Sequence, residues 1–435
     1  MNNRMEAAEM IANALIYTKK ASTGFRNINF SPPDITDAEI DEVVKAMRTG
    51  WITTGPKTKL FEQKIAEYLG VSKAVCLNSA TAAMELTLRI LGIGIGDEVI
   101  TTPYTYSASA SIIDHVGAKI VFVDVAPNSF EMDYAKLADA ITDKTKIIIP
   151  VDIGGKMCDY DSIFAAIDSK KSLFKADNEI QALYNRIIVM ADSAHGFGAQ
   201  RRGVKSGLAA DFTCFSFHAV KNLTTAEGGA VVWRDRPCLV KGQLYGHQSG
   251  FNDYLYNQFM LYSLHGQSND ALAKTRKGAW EYDIVYPGFK CNMTDILAGF
   301  GLIQLMRYDG LRRRRQDIIE MYDRALLPLG IQILQHYKDG NNSSGHLYLA
   351  RIPGCSEDKR NAIIIKMAEA GVACNVHYKP LPMFTAYKNM GFDISDYPNA
   401  LAQYQNEITL PLHTLLSDED VEYVIEVFEE SLRKL

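Results

Sequence analysis

The 435-residue chain is 47% hydrophobic and 22% charged, proportions ordinary for a folded protein and poorly suited to extensive disorder. Its formal net charge of -5 provides no general attraction for nucleic acid, and no run of about 18 to 20 apolar residues could span a bilayer. Seven cysteines show neither metal-ligand spacing nor the density of a disulfide scaffold, so buried thiols in a reducing, cytoplasmic setting are expected, with no metal.

Residues 1–30 read as an N-terminal extension. Within it, Met5 to Lys20 mixes apolar and charged positions without a secretory core. From Ala74 to Trp233, short apolar runs alternate with helical stretches. The predicted strands are Ala74–Leu77, Glu98–Thr101, Lys119–Val123, Lys146–Pro150, Ile187–Asp192, Thr213–Phe217 and Gly229–Trp233. Most are continuously apolar, as strands covered on both faces by helices should be. A three-layer α/β/α domain over residues 31–320 follows, with a mainly parallel seven-stranded sheet.

Ala80 to Leu91 reads as a helix ended by Gly92, Gly94 and Gly96. The polar stretch Ser169 to Tyr184 reads as a surface excursion. A long helix is expected from near Thr294 to about Leu327, with Arg312 to Arg315 on its solvated face. Residues 321–435 then form a smaller α+β domain, with strands at Leu347–Ile352 and Gly371–His377 and helices at Glu357–Ala370 and Asp418–Leu432. Asn341 to Gly345 reads as an exposed turn.

Two strand ends carry the chemistry. Asp192 closes the run Ile187-Ile188-Val189-Met190-Ala191 and opens Asp-Ser-Ala-His, while Lys221 follows Thr213 to Phe217 and precedes Gly228-Gly229. Ligands of open α/β sheets bind at carboxyl strand ends. An amine that can hold an aldehyde, with a carboxylate that can keep a pyridine nitrogen protonated, is what a pyridoxal phosphate enzyme requires. Each residue also has a plainer role, Asp192 as a helix cap and Lys221 as a solvated loop lysine.

Phosphate needs donors, and Asn78-Ser79-Ala80-Thr81 places backbone amides and two hydroxyls where a strand turns into a helix. A simple Ser or Thr cap fits the same residues. Tyr106, in Pro103-Tyr104-Thr105-Tyr106-Ser107-Ala108, could cover a flat ring or pack in the core. No Walker-type loop or dinucleotide fingerprint is present.

The constellation resembles the DegT/DnrJ/EryC1/StrS family of sugar aminotransferases, fold-type I pyridoxal phosphate enzymes, from about Asn29 to the C-terminus. The matching elements are Trp51 to Pro56, Asn78 to Met84, Pro103 to Ala108, Asp192 to Gly198, Ser216 to Gly229, Gly288 to Gly301, Val376 to Leu381 and Leu410 to His413. The resemblance implies that Lys221 carries the internal aldimine, Asp192 contacts the pyridine nitrogen, Tyr106 stacks on the ring and His195 lies beside it. Ala80, Thr81 and Ser216 would hold the phosphate. Thr53, Thr54, His377 and Tyr378 would meet the substrate.

It also implies a homodimer with shared sites. The family's usual Gly-Tyr-Asn-Tyr-Arg-Met reads Gly288-Phe289-Lys290-Cys291-Asn292-Met293 here, which puts Lys290 or Asn292 at the partner's phosphate. The implied reaction transfers an amino group, from L-glutamate through pyridoxamine phosphate, to a nucleotide-linked keto sugar. An aminocyclitol acceptor, a non-catalytic cofactor-binding regulatory protein, and a pyridoxamine-dependent sugar dehydratase are the alternatives. Dehydratases of this fold replace the Schiff-base lysine with histidine, so Lys221 favours transamination.

Overall fold

The computed structural model describes residues 26–241, 248–268 and 281–433. Met5 to Lys20, read above as part of an extension, lies outside the described residues. Two helices, α1 (Asp37–Arg48) and α2 (Pro56–Leu69), lead into β1 (Ala74–Leu77), α3 (Ala80–Ile90), β2 (Glu98–Thr101), α4 (Ala108–His115) and β3 (Lys119–Phe122). Then follow α5 (Tyr134–Ala140), β4 (Thr145–Ile148), α6 (Tyr160–Ser169), α7 (Glu179–Tyr184), β5 (Ile188–Asp192), β6 (Phe212–Ser216) and β7 (Gly229–Trp233). The seven strands form one sheet in the order β1-β7-β6-β5-β4-β2-β3. Strand β7 runs antiparallel to β1 and β6, and the other neighbours are parallel.

All seven predicted strands lie in this sheet, and their composition explains why. Strands β1, β2, β4, β5 and β7 are buried at every residue. Successive side chains point to opposite faces, so a run with no polar interruption needs helices on both. Leu77, Val99, Ile147, Met190 and Val231 join one core, under α3 and α4. Their neighbours Cys76, Ile100, Ile148, Val189 and Ala230 belong to cores on the other face. The three-layer, mainly parallel fold-type I architecture is therefore present.

Helix α8 (Phe251–Ser263) is followed by the 32-residue α9 (Asp295–Leu326), whose Thr294 caps its first turn. Helix α9 contributes Tyr308 to a core of the large sheet and Ile318 and Tyr322 to a second core. That second core lies among β8 (Tyr348–Arg351), α10 (Glu357–Glu369), β9 (Glu407–Leu410) and α11 (Asp418–Arg433). Strand β8 is flanked antiparallel by β9 and by Gln332–Ile333, giving the expected α+β unit.

Four local expectations are corrected. Gly371–His377 is not a strand; Val372 and Asn375 make single bridges to Ile28 and Thr409, and the chain then continues into a cavity wall. Ser169–Tyr184 is not a bare excursion, because Asn178 caps α7 and Ile180 and Tyr184 reach the core at helical spacing. Of the four arginines only Arg313 is exposed; Arg314 pairs with Asp418 at 2.6 Å and Arg315 is buried. Four consecutive residues circle a helix and cannot share one face. Asn341, Ser343 and Ser344 are buried rather than in an exposed turn, and the Ser344 amide donates to the Gly155 carbonyl at 3.1 Å.

Candidate active site

The carboxyl edge of the sheet opens into a cavity of about 370 Å3. Its walls come from the segments after β1, β2, β4, β5 and β6, from the approach to β7, and from His346, His377 and Tyr378 of the second core's side.

Asp192, the last residue of β5, is 5% exposed. Its Oδ2 accepts from Ser109 Oγ at 2.6 Å and its Oδ1 from the Ala194 amide at 3.2 Å. Thr105 Oγ1 lies 2.8 Å from Ser109 Oγ, so the segment before α4 and the first turn of α4 together supply a hydroxyl pair behind the carboxylate. Burial pushes the Asp192 carboxyl above its ordinary value, while Ser109, Ala194 and the charge of Lys221 act in the opposite direction. No helix begins at Asp192, which leaves the capping role without a helix to cap.

Lys221 lies in the loop after β6 and lines the cavity. Burial lowers its ammonium to about 8, with Asp192 holding it up. A substantial neutral fraction near physiological pH makes it a far better nucleophile than a solvated lysine.

Three imidazoles surround this amine. His195 Nδ1 accepts the Gly154 amide at 3.2 Å, and its Nε2 lies 3.2 Å from the Tyr378 hydroxyl. His346 Nδ1 donates to Asn222 Oδ1 at 2.9 Å, and His377 Nδ1 lies 2.9 Å from Thr409 Oγ1. Burial, then neighbouring charge including Lys221, holds His195 and His346 well below the usual imidazole range and His377 at about 3. All three are neutral at physiological pH. Gly154 ties two of these residues together, its amide donating to the His195 ring and its carbonyl accepting the His346 backbone amide at 2.9 Å. Gly154 and Gly155 have φ of +63° and +93°, a left-handed pair that only glycines adopt without strain.

At the start of α3, Ser79 Oγ accepts the Ala82 amide and the Ser79 carbonyl accepts that of Ala83. The amides of Ala80 and Thr81 have no partner among the described residues, and both residues line the cavity. Ser216 lines it too and is paired with Gly229, whose absent Cβ would stand 2.4 Å from Ala80 N. Gly229 thus permits a close backbone approach to the start of α3. Tyr106 is 66% exposed at the cavity wall, so core packing does not hold it there.

Thr53, Thr54, Lys290 and Asn292 do not line the cavity of their own chain. Asn292 Nδ2 donates to Thr54 Oγ1 at 2.6 Å, and Lys290 bonds Asn292. The segment is fastened by Asn78, whose amide donates to the Cys291 carbonyl at 2.8 Å.

Sequence reading missed Ser109, Thr105, Asn222 and His346. Only adjacency to Lys221 singles out Asn222, and nothing local distinguishes His346, which reaches Lys221 across 125 positions.

Residues 33–429 match the model of the DegT/DnrJ/EryC1/StrS aminotransferase family. The chain belongs to this family. The spore coat polysaccharide biosynthesis protein SpsC of Bacillus subtilis is 34% identical over 408 residues, 93% of this chain and 97% of SpsC. Solved structures of a putative sugar aminotransferase from Streptococcus pneumoniae, Spr1654, in PMP and PLP forms are 53% and 52% identical. Their TM-scores are 0.89 and 0.88, each covers 94% of this chain, and 100% and 99% of the pneumococcal chains are matched. Helicobacter pylori PseC, an aminotransferase involved in the biosynthesis of pseudoaminic acid, is 26% identical with a TM-score of 0.78, covering 94% of this chain and 100% of PseC.

Members of the DegT/DnrJ/EryC1/StrS family are pyridoxal-phosphate-dependent aminotransferases, and this chain is such an enzyme. The residues present fit the cofactor. The cavity pairs a buried amine of lowered basicity with a braced carboxylate, two unused helix-start amides and a glycine-permitted approach beside them. No described helix is long and apolar enough to cross a membrane.

Proposed function

We propose that this enzyme aminates a nucleotide-linked keto sugar, with L-glutamate as the donor. The observation that carries the reading is the convergence of Lys221, Asp192 and the Ala80–Thr81 amides on one cavity. The relatives named for sugar amination and polysaccharide biosynthesis support the substrate class.

When bound, pyridoxal phosphate supplies an aldehyde that takes up the amino group and a ring that accepts the electrons released at the donor Cα. The amides of Ala80 and Thr81 and the hydroxyl of Ser216 would hold its phosphate. Asp192, whose carboxylate form is favoured by Ser109 and Ala194 against its burial, would hold the proton on the pyridine nitrogen. Tyr106 and His195 would cover the ring. Lys221 would hold the cofactor through its Nζ and, as the free amine, would carry the proton taken from the donor Cα.

His377 and Tyr378 face the acceptor sugar from the second core's side. Thr53, Thr54, Lys290 and Asn292 serve the site of a second copy in a homodimer, in keeping with their absence from their own cavity. The seven cysteines are unpaired, which supports a reducing, cytoplasmic setting.

The test is incubation with pyridoxal phosphate, L-glutamate and a panel of nucleotide-linked keto sugars, followed by mass spectrometry. Gain of nitrogen supports the reading. Deoxygenation without nitrogen indicates a dehydratase, amination of a cyclitol ketone alone indicates the wrong acceptor class, and absence of turnover on every acceptor contradicts sugar amination.

A further inference from the structure

We propose that His346 is a positioning residue for Lys221: its Nε2 lone pair receives an N–H of the lysine, and Asn222 and Arg315 fix the imidazole in the state that can do so.

The ring's protonation follows from a chain of hydrogen bonds. Asn222 Nδ2 donates to the Ser344 carbonyl at 2.8 Å, and a carbonyl can only accept, so the carboxamide has one orientation. Its Oδ1 therefore faces His346 Nδ1 at 2.9 Å, which places the imidazole proton on Nδ1. Nε2 is left with a lone pair, 3.5 Å from Lys221 Nζ. A distance at the long end of hydrogen bonding leaves the amine free to advance into the cavity and return.

The backbone under this ring is also held. Arg315 is 5% exposed, and its Nη1 donates to the carbonyls of Gly345 at 3.3 Å, His346 at 3.5 Å and Leu412 at 2.8 Å. No carboxylate among the described residues pairs with it. A buried cation spent on carbonyls positions the loop and disfavours a second positive charge on His346. His346 itself is 4% exposed.

An amine that donates to Nε2 has its lone pair directed away from the imidazole and available for proton transfer. The inference rests on reading Lys221 as the cofactor-binding amine. The other groups facing that amine are Asp192 and His195 after β5, His377 and Tyr378 from the second core's side, and the pair His218 and Glu227 on its own loop. Asp192 is the buried anion among them and favours the ammonium.

The test uses full-length protein freed of cofactor and mixed with pyridoxal phosphate from about pH 6 to about pH 10, a range that brackets lowered and ordinary lysines. The rate of adduct formation is read by absorbance, and the adduct is located by borohydride reduction and peptide mass spectrometry. In His346→Phe the ammonium loses an acceptor, so the midpoint of the rate profile falls by about one pH unit and the plateau rate drops. His346→Gln, whose carboxamide oxygen accepts, returns the midpoint towards wild type. An unmoved midpoint in the Phe variant, or a folded Gln variant that behaves like Phe, overturns the inference.

Nitrogen-15 shifts of the wild-type imidazole give a second decision that needs no variant. A protonated Nδ1 and bare Nε2 support the inference, and the reverse overturns it. Absence of any wild-type adduct at Lys221 would defeat the cofactor reading instead, while the nitrogen shifts still decide the state of His346.

Discussion

Ser109 donates its hydroxyl to Asp192 at 2.6 Å, across 83 positions of sequence, and so links the first turn of α4 to the end of β5. The bond opposes the burial that raises the Asp192 carboxyl. Ser109→Ala should therefore leave the carboxylate easier to protonate and weaken pyridoxal phosphate binding about tenfold, the worth of one hydrogen bond to a charged group. Asp192→Asn, which removes the charge, should weaken it about a hundredfold. Equilibrium titration of the cofactor at fixed pH checks both, and equal affinities in wild type and Asp192→Asn would sink the assignment.

Gly229 has no room for a side chain, because a Cβ there would stand 2.4 Å from Ala80 N and from Ser79 C. Both obstacles are backbone, so the neighbour cannot swing aside. Gly229→Ala should cost on the order of 2 kcal/mol of stability and displace the α3 start. Urea unfolding measures the first effect. Loss of phosphate-dependent cofactor affinity, with pyridoxal binding less changed, measures the second.

If Lys290 and Asn292 serve a partner's site, two defective chains should complement each other. Lys221→Ala and a Lys290→Ala, Asn292→Ala double variant, mixed in equal amounts and allowed to exchange, should recover roughly one quarter of wild-type activity. Random exchange in a two-fold dimer restores that share of sites. Recovery no greater than the sum of the separate variants would contradict shared sites.

Asp323 predicts a pH effect on stability away from the cavity. Burial, with Glu320 adding to it, raises its carboxyl from 3.8 to about 6 despite the Tyr348 hydroxyl at 2.9 Å. The folded state binds this proton more tightly than the unfolded one. The resulting stabilisation is fully present below the unfolded value and is lost as pH rises through about 6. Asp323→Asn should flatten the stability profile between about pH 4 and about pH 6 by on the order of 1 kcal/mol, allowing for partial solvent screening. Urea unfolding across that range checks the slope.

The large sheet was readable because each strand announces itself locally: Ile187 to Ala191 has no polar residue, and only a strand covered on both faces tolerates that over so short a run. Lys221 and Asp192 were readable for a related reason, since strand ends at one sheet edge converge whatever the loops do. The parts that escaped depend on contacts between distant segments. Ser343 and Ser344 look like turn residues until His336 bonds the first and Gly155 packs against the second, and Arg315 looks solvated until the loop carrying His346 closes over it. The helix at Glu179–Tyr184 did carry a signal, with Asn178 before apolar residues at positions 180, 183 and 184, but the surrounding polar residues hid it.

The most direct measurement is the visible spectrum of the purified enzyme with pyridoxal phosphate, before and after L-glutamate, beside that of Lys221→Ala. Wild type should develop the absorbance of lysine-bound cofactor and lose it to the pyridoxamine form on adding glutamate. Lys221→Ala should stay folded, show no such absorbance and lose turnover by about a hundredfold to ten-thousandfold. A wild-type spectrum identical to that of free cofactor, or a Lys221→Ala protein that converts glutamate at the wild-type rate, would contradict the account.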